Sequence, residues 1–345
     1  MSAGRTALRV TASRKESKNL LACGLISRLF QNLSMKKLPL LVLFCAAMGA
    51  SAISANAEGA KKNVLMIAGR PSHGPGEHEH NAGVQLLAKC LGQGAADRVE
   101  VKFHLNGEWP AEEELAKADT VVIYSDGGGG HPALQDEHLA QLGKEMKRGC
   151  GFVCLHYAVE PTIPKGNAEF IDLLGGAFEI NWSVNPHWDA EFKSLPKHAI
   201  SSGVKPFTTN DEWYFHMRFR EDMKGVTPIL TAVAPEGTMS RPNGTHSGNS
   251  AVREEVAAQK PQHVSWAVER ADGGRGFGFT GGHYHQGWGN ENQRKLVLNA
   301  IVWSAKAEVP DGGVASKITD EELAANLDPK QPRKPAPAPQ PAAAK

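Results

Sequence analysis

Four short apolar runs, each leading into a loop rich in glycine or histidine, constrain this chain more than any other feature. Asn63–Ala68 is closed by Gly69, and Thr120–Tyr124 by Ser125, Asp126 and four glycines. Gly151–His156 ends in its own histidine, and Gly276–Thr280 runs into Gly281, Gly282 and His283. Runs this short and continuous have the form of strands buried on both faces. Between them, apolar residues recur at helical spacing over Asn81–Leu91, Glu112–Ala118, Pro132–Lys147 and Gln293–Ser304. Pro132 suits a first helical turn. Val99–Phe103 and His263–Val268 read as further strands. The alternation predicts βαβ units and an α/β fold with a doubly wound, mostly parallel sheet. From about 176 to 260 it breaks into aromatic, Pro- and Gly-rich sequence, with a strand expected at Ile229–Ala234. That stretch reads as an insertion elaborating one domain.

The first 57 residues do not belong to the fold. They carry eight basic residues and one acid. Met35-Lys-Lys opens a positive n-region, Leu38–Ile53 is apolar, and Ala55-Asn56-Ala57 offers small residues to a signal peptidase. The expectation is a start at Met35, with 1–34 a mis-assigned start, a signal peptide over 35–57, and cleavage before Glu58. The apolar run falls short of the roughly 20 residues of a spanning helix, so no stable membrane insertion is expected after cleavage. The protein is expected to be periplasmic or secreted. The domain is placed at 58–309. A Pro/Ala-rich tail, disordered over 310–345, follows from six prolines among the last 17 residues.

Removing the leader changes the charge. The whole chain carries a formal +1, the mature chain about −6, which argues against nucleic acid or anionic lipid as partner. Cys90, Cys150 and Cys154 remain, an odd set that reads as buried small residues rather than a disulfide framework. The composition leaves a homo-oligomer open.

All 14 histidines lie in the mature chain, and seven of them fall in loops that follow the predicted strands. In an open α/β sheet such loops gather where ligands bind. His73, His78 and His80 follow the first strand, Asp126 and His131 the third, His156, Tyr157 and Glu160 the fourth, His283 and His285 the last. Imidazoles and carboxylates together suit a divalent cation, zinc best, or acid–base catalysis without one. His73, His78 and His80 are the candidate ligands; His156, Asp126, Glu212 and His283 are the candidate catalytic groups. His104, His138, His198 and His263 read as structural or solvated, and His216 and His246 stay undecided. Gly276–Gly281 matches GxGxxG but lies inside a strand, so no nucleotide cofactor is expected. No nucleophile elbow occurs.

The insertion adds His187, Trp188, Glu212, Tyr214 and Arg218. Aromatic rings beside amides and charges are what a sugar site uses, and equally what an aromatic core contains. With Tyr157, four of these (His187, Trp188, Tyr214 and Arg218) are the candidate substrate-binding residues for a small carbohydrate.

At these residues the sequence resembles the ThuA-like, trehalose-utilisation family, in its exported bacterial branch. The resemblance rests on the His-rich first loop, Ser125-Asp126-Gly127, the strand ending in Leu155-His156, Gly175-Gly176, and Asp211-Glu212-x-Tyr214. Gly274-Arg-Gly leading to Gly282-His283 completes it. It implies a flavodoxin-like sheet like that of the class I glutamine amidotransferases, and a role in sugar catabolism with 3-keto-sugars as candidate substrates. His156 falls near where the amidotransferase nucleophile would lie, so glutaminase activity is not expected. The expectation is a hydrolase, lyase or isomerase acting on sugars, with or without a divalent metal. The alternative is a non-catalytic carbohydrate- or metal-binding protein on the same scaffold.

Overall fold

The computed structural model describes residues 60–331. The expected start region and signal peptide, and the tail from 332, lie outside the described residues. The first half builds β1 (Lys62–Ala68), α1 (His80–Gly94), β2 (Val99–His104), α2 (Glu112–Leu115), β3 (Thr120–Tyr124), α3 (His138–Lys147), β4 (Gly151–Leu155) and α4 (Asn167–Leu174). The insertion supplies β5 (Gly176–Ala177), β6 (Trp188–Phe192), β7 (Phe207–Asp211), β8 (Arg218–Phe219), β9 (Val226–Val233) and α5 (Ser250–Ala257). Then follow β10 (Pro261–Glu269), β11 (Arg275–Phe279), α6 (Glu291–Ser304) and α7 (Asp320–Leu323).

Seven strands form one sheet in the order β2-β1-β3-β4-β11-β10-β9. The first five of these are parallel, and β10 and β9 join antiparallel at one side. This is the doubly wound α/β sheet that the alternation predicts.

The reason lies in the apolar runs. Val64, Met66 and Ala68 of β1 face one core, shared with Leu87 of α1 and Leu298 of α6. Leu65 and Ile67 face the other, with Leu142 and Met146 of α3 and Phe170 of α4. A strand covered on both sides has no polar face to show, which is why alternation is missing from its sequence. Cys90, Cys150 and Cys154 are buried and unpaired, as expected.

Two expectations fail. The helix read over Pro132–Lys147 is broken: Pro132–Leu134 forms a 3-10 turn and α3 starts only at His138. The His138 ring takes the Pro132 carbonyl at 2.8 Å, and Asp136 adopts φ 37°, so the helical ladder stops between them. The tail is the second. Residues 310–331 are not a disordered extension. Val314 is buried and its N–H donates to Asn299 Oδ1 at 2.7 Å, and α7 opens with a capping box between Thr319 and Glu322. The prolines that suggested disorder lie almost wholly beyond this segment.

Among the described residues no helix is long and apolar enough to cross a membrane.

Candidate functional site

Parallel strands deliver their carboxyl ends to one edge, and the histidine-bearing loops meet there. The loop after β1 is tied to the loop after β11: the His78 N–H donates to the His283 carbonyl at 2.9 Å, and the His285 N–H to the Gly76 carbonyl at 2.9 Å. Asp126, just after β3, accepts from Nδ1 of His78 at 2.6 Å and from the Ser72 hydroxyl at 2.9 Å. The next residue must be Gly127, since a Cβ there would lie 2.3 Å from the Tyr157 carbonyl oxygen.

His156 follows β4 directly, and its Nδ1 donates to the Thr280 carbonyl at 2.8 Å. The insertion is fastened to the same edge by Asp211, at the end of β7. Its carboxylate accepts the N–H groups of Gly282 at 2.7 Å, His283 at 2.9 Å and Glu212 at 2.8 Å. Burial pushes Asp211 up to about 6, opposed by those three donors. That staple sets Glu212 beside the imidazoles.

Four side chains converge as a result. Nε2 of His78 lies 3.0 Å from Nε2 of His156 and 3.0 Å from Nδ1 of His283. Oε2 of Glu212 lies 3.1 Å from Nδ1 of His283 and 3.6 Å from Nε2 of His156. The Tyr214 hydroxyl stands 3.3 Å from Nε2 of His156 and donates to Glu212 at 3.2 Å. All five side chains are buried.

The second partners settle the protonation. The Thr280 carbonyl and the Asp126 carboxylate can only accept, so His156 and His78 each carry their proton on Nδ1. Their Nε2 atoms then face one another as lone pairs at 3.0 Å. A shared proton would relieve this by making an imidazolium. Burial opposes that, pushing His156 and His78 well below the usual imidazole range, with the neighbouring imidazoles pushing further the same way. A cation between the two nitrogens would also relieve this contact. The four ligand atoms lie within 4.8 Å of one another. Four of the six separations, at 3.0 to 3.6 Å, are close to the edge, about 3.3 Å, of a tetrahedron with zinc–nitrogen bonds of ~2.0–2.1 Å.

Backbone strain marks the same residues. His73, His78 and His156 adopt φ of 60°, 45° and 58°, the left-handed region that costs non-glycine residues energy. Such strain persists where surrounding contacts over-determine it.

The expected ligand trio of His73, His78 and His80 is therefore only partly assembled. His73 stacks on His78 with ring centroids 3.6 Å apart and, with His78 and Asp126, makes a lesser group. His80 is turned inward on α1, donating from Nδ1 to the Arg70 carbonyl at 3.1 Å. Burial lowers it to about 4. Its Nε2 has no hydrogen-bond partner and lies 3.9 Å from Asp126.

Of the expected substrate residues, Tyr157, Tyr214 and His187 border the cluster. The half-exposed His187 places Nε2 3.8 Å from Glu212 and Nδ1 3.1 Å from the Tyr284 hydroxyl. Trp188 does not border it. It is buried in the core, its indole N–H donating to the Trp213 carbonyl at 2.9 Å. Nor does Arg218, whose guanidinium pairs with Glu179 at 2.7 and 3.0 Å and covers the Trp182 ring. In both cases an aromatic or ionic contact within the insertion takes the side chain away from the edge.

A second acid–base pair was less legible. Glu160 is buried, accepts from Nε2 of His246 at 3.1 Å, and has its other oxygen without a partner. Burial raises Glu160, and the bond to Glu160 raises His246. The position of Glu160 close behind His156 was its signal; His246 had none.

Comparison with known proteins agrees with this architecture. The ThuA family profile, described as trehalose utilisation, matches residues 63–304. No curated protein matches the chain significantly. Among solved structures, a ThuA-like protein from Bacteroides uniformis ATCC 8492 superposes with a TM-score of 0.50 at 14% identity, over 70% of this chain and 91% of its own. One from Parabacteroides merdae ATCC 43184 has a TM-score of 0.49 at 15% identity, over 75% and 94%.

Proposed function

This chain belongs to the ThuA, trehalose-utilisation family, and from that premise we propose that it is an exported enzyme of carbohydrate catabolism. Its substrates would be sugars, 3-keto-sugars among them. Its chemistry would be proton transfer by His, Glu and Tyr around a divalent cation, zinc being the ion the donor set suits best. The observation that carries this reading is the 3.0 Å contact of Nε2 of His78 with Nε2 of His156, two atoms that the acceptors on the opposite ring nitrogens leave without a proton. Apolar packing gives no reason to bring two such atoms together, whereas ligation does.

His78, His156, His283 and Glu212 would hold the ion. Bound there, it would supply Lewis acidity to a sugar oxygen. The remaining work falls to the chain itself. Asp126 and the Thr280 carbonyl hold two imidazoles in the ligating tautomer, as outer partners of metal-bound histidines do. Burial, and then Glu212, raises Tyr214 far above its ordinary range, so its hydroxyl stays protonated and can donate. A carbon beside a ketone loses a proton readily, and a departing oxygen needs one. A 3-keto-sugar therefore needs both a base and an acid, and Glu160 with His246 forms a second pair at the border able to carry a proton.

The test combines elemental analysis with turnover of a panel of 3-keto-glucosides. Roughly one equivalent of zinc per chain is expected after growth in supplemented medium, with metal and turnover both lost in His156→Ala. Turnover unchanged in that variant, or a metal-free protein of full activity, would overturn the proposal. Sugar binding without turnover would identify a binding protein instead.

A further inference from the structure

The C-terminal segment returns to the site from beyond the family match, which ends at residue 304. Along the way it is anchored at several points. Arg294 donates to Ser316 Oγ at 3.0 Å, and His285 donates to the Leu323 carbonyl at 2.8 Å. The Asp328 N–H donates to Glu79 Oε2 at 2.9 Å, while Asn81 donates to the Asp328 carboxylate at 2.8 Å.

The segment then delivers Lys330. Its side chain is only 6% exposed, and its ammonium lies 3.3 Å from the carboxylate of Glu79, itself 1% exposed. The same ammonium donates to the Glu77 carbonyl, and to the His78 carbonyl at 3.1 Å. Those two carbonyls belong to the two peptide groups that flank the α-carbon of His78. They are the groups whose orientation defines its left-handed backbone. Two carbonyl acceptors and a carboxylate counter-charge satisfy this buried lysine. Unpaired, it would be expelled.

We infer that Lys330 is a positioning residue for the imidazole cluster, its ammonium clamping the main chain of Glu77–Glu79 so that Nε2 of His78 keeps its aim at His156 and His283. The inference rests on the metal reading above. Lys330 touches no ligand atom; it acts through the strained backbone of His78.

The experiment uses the full chain with Lys330→Met and Lys330→Gln, the latter keeping an N–H donor while losing the charge. Zinc affinity is measured by competition with a chromophoric chelator, and exchange of the His78 amide by hydrogen–deuterium exchange. Lys330→Met should bind zinc about 10–100-fold more weakly, the range for partners that orient metal-bound histidines. Lys330→Gln should fall between it and wild type. The His78 amide, which donates to the His283 carbonyl, should exchange faster in Lys330→Met even without metal. Glu322→Ala, which loosens the same segment at its exposed pair with Lys89, should leave both readouts unchanged. Wild-type zinc binding with equal affinity in Lys330→Met overturns the role of Lys330 and spares the metal site. A wild type that binds no zinc overturns the metal reading. The exchange data then decide alone whether Lys330 holds the loop, and unchanged exchange overturns that too.

Discussion

Nε2 of His78 and Nε2 of His156 face each other at 3.0 Å, although each ring has its proton on the opposite nitrogen. Two buried lone pairs at that distance repel, and the surrounding contacts hold them there. The energy comes from the bonds outside the pair, a carboxylate on one ring and a carbonyl on the other, which must also offset the cost of a left-handed backbone at both residues.

The carboxylate end of that arrangement can be tested directly. Asp126→Asn replaces a group that can only accept with one that can also donate, so the His78 tautomer is no longer imposed. Zinc affinity should fall about 10–100-fold. Asp126 is partly exposed, so the midpoint of urea unfolding should hardly move. Unchanged affinity would show that the 2.6 Å bond does not orient the ring.

Tyr214→Phe removes one oxygen and keeps the buried ring. Glu212 loses the donor at 3.2 Å, while packing against Phe178 is retained. Turnover of a 3-keto-glucoside should drop by roughly 100-fold or more if the hydroxyl moves a proton. Stability should change by only about 1 kcal/mol. A full-rate Tyr214→Phe would take the hydroxyl out of the chemistry.

His131 gives the stability a pH dependence apart from the metal site. It is buried, accepts the Ala133 N–H on Nδ1 at 3.0 Å, and donates from Nε2 to the Ala158 carbonyl at 3.1 Å. Burial lowers its pKa from 6.5 to about 4. The unfolded chain therefore takes up a proton that the folded chain refuses. The stabilisation from keeping it neutral is fully present above pH 6.5 and is lost as pH falls toward 4, amounting to about 3 kcal/mol at roughly 1.4 kcal/mol per pH unit. His131→Asn, which can still accept from Ala133, should flatten the fall in urea midpoint across that range. An unaltered slope would place the acid sensitivity elsewhere.

Trp188→Ala measures the correction to the expected sugar site. A core tryptophan truncated to alanine costs about 3–5 kcal/mol. A loss below about 1 kcal/mol, accompanied by weakened sugar affinity, would return Trp188 to the site.

What was legible in the sequence follows from range. Each interior parallel strand declares itself by a short run buried on both faces, and the loop after it is carried to the sheet edge with no further information needed. His78, Asp126, His156 and His283 were readable for that reason. The insertion obeys no such rule. A tryptophan or arginine there sits against whichever neighbour the chain happens to fold upon, so Trp188 and Arg218 carried the same local pattern as Tyr214 and went elsewhere. The left-handed turn at Asp136 that breaks the helix before His138 had no glycine to announce it. Lys330 was beyond reach entirely, because its partner His78 lies 252 residues away and nothing near it in sequence says that a lysine will be buried.

That separation also bears on the order in which the protein is made. Synthesis runs from the amino end, so the loop bearing His78 emerges early and the whole sheet can form before the ribosome reaches Lys330. The histidine waits for a residue near the far end of the chain. A chain stopped after α6 would own every imidazole of the cluster and still lack the ammonium that spans the Glu77 and His78 carbonyls.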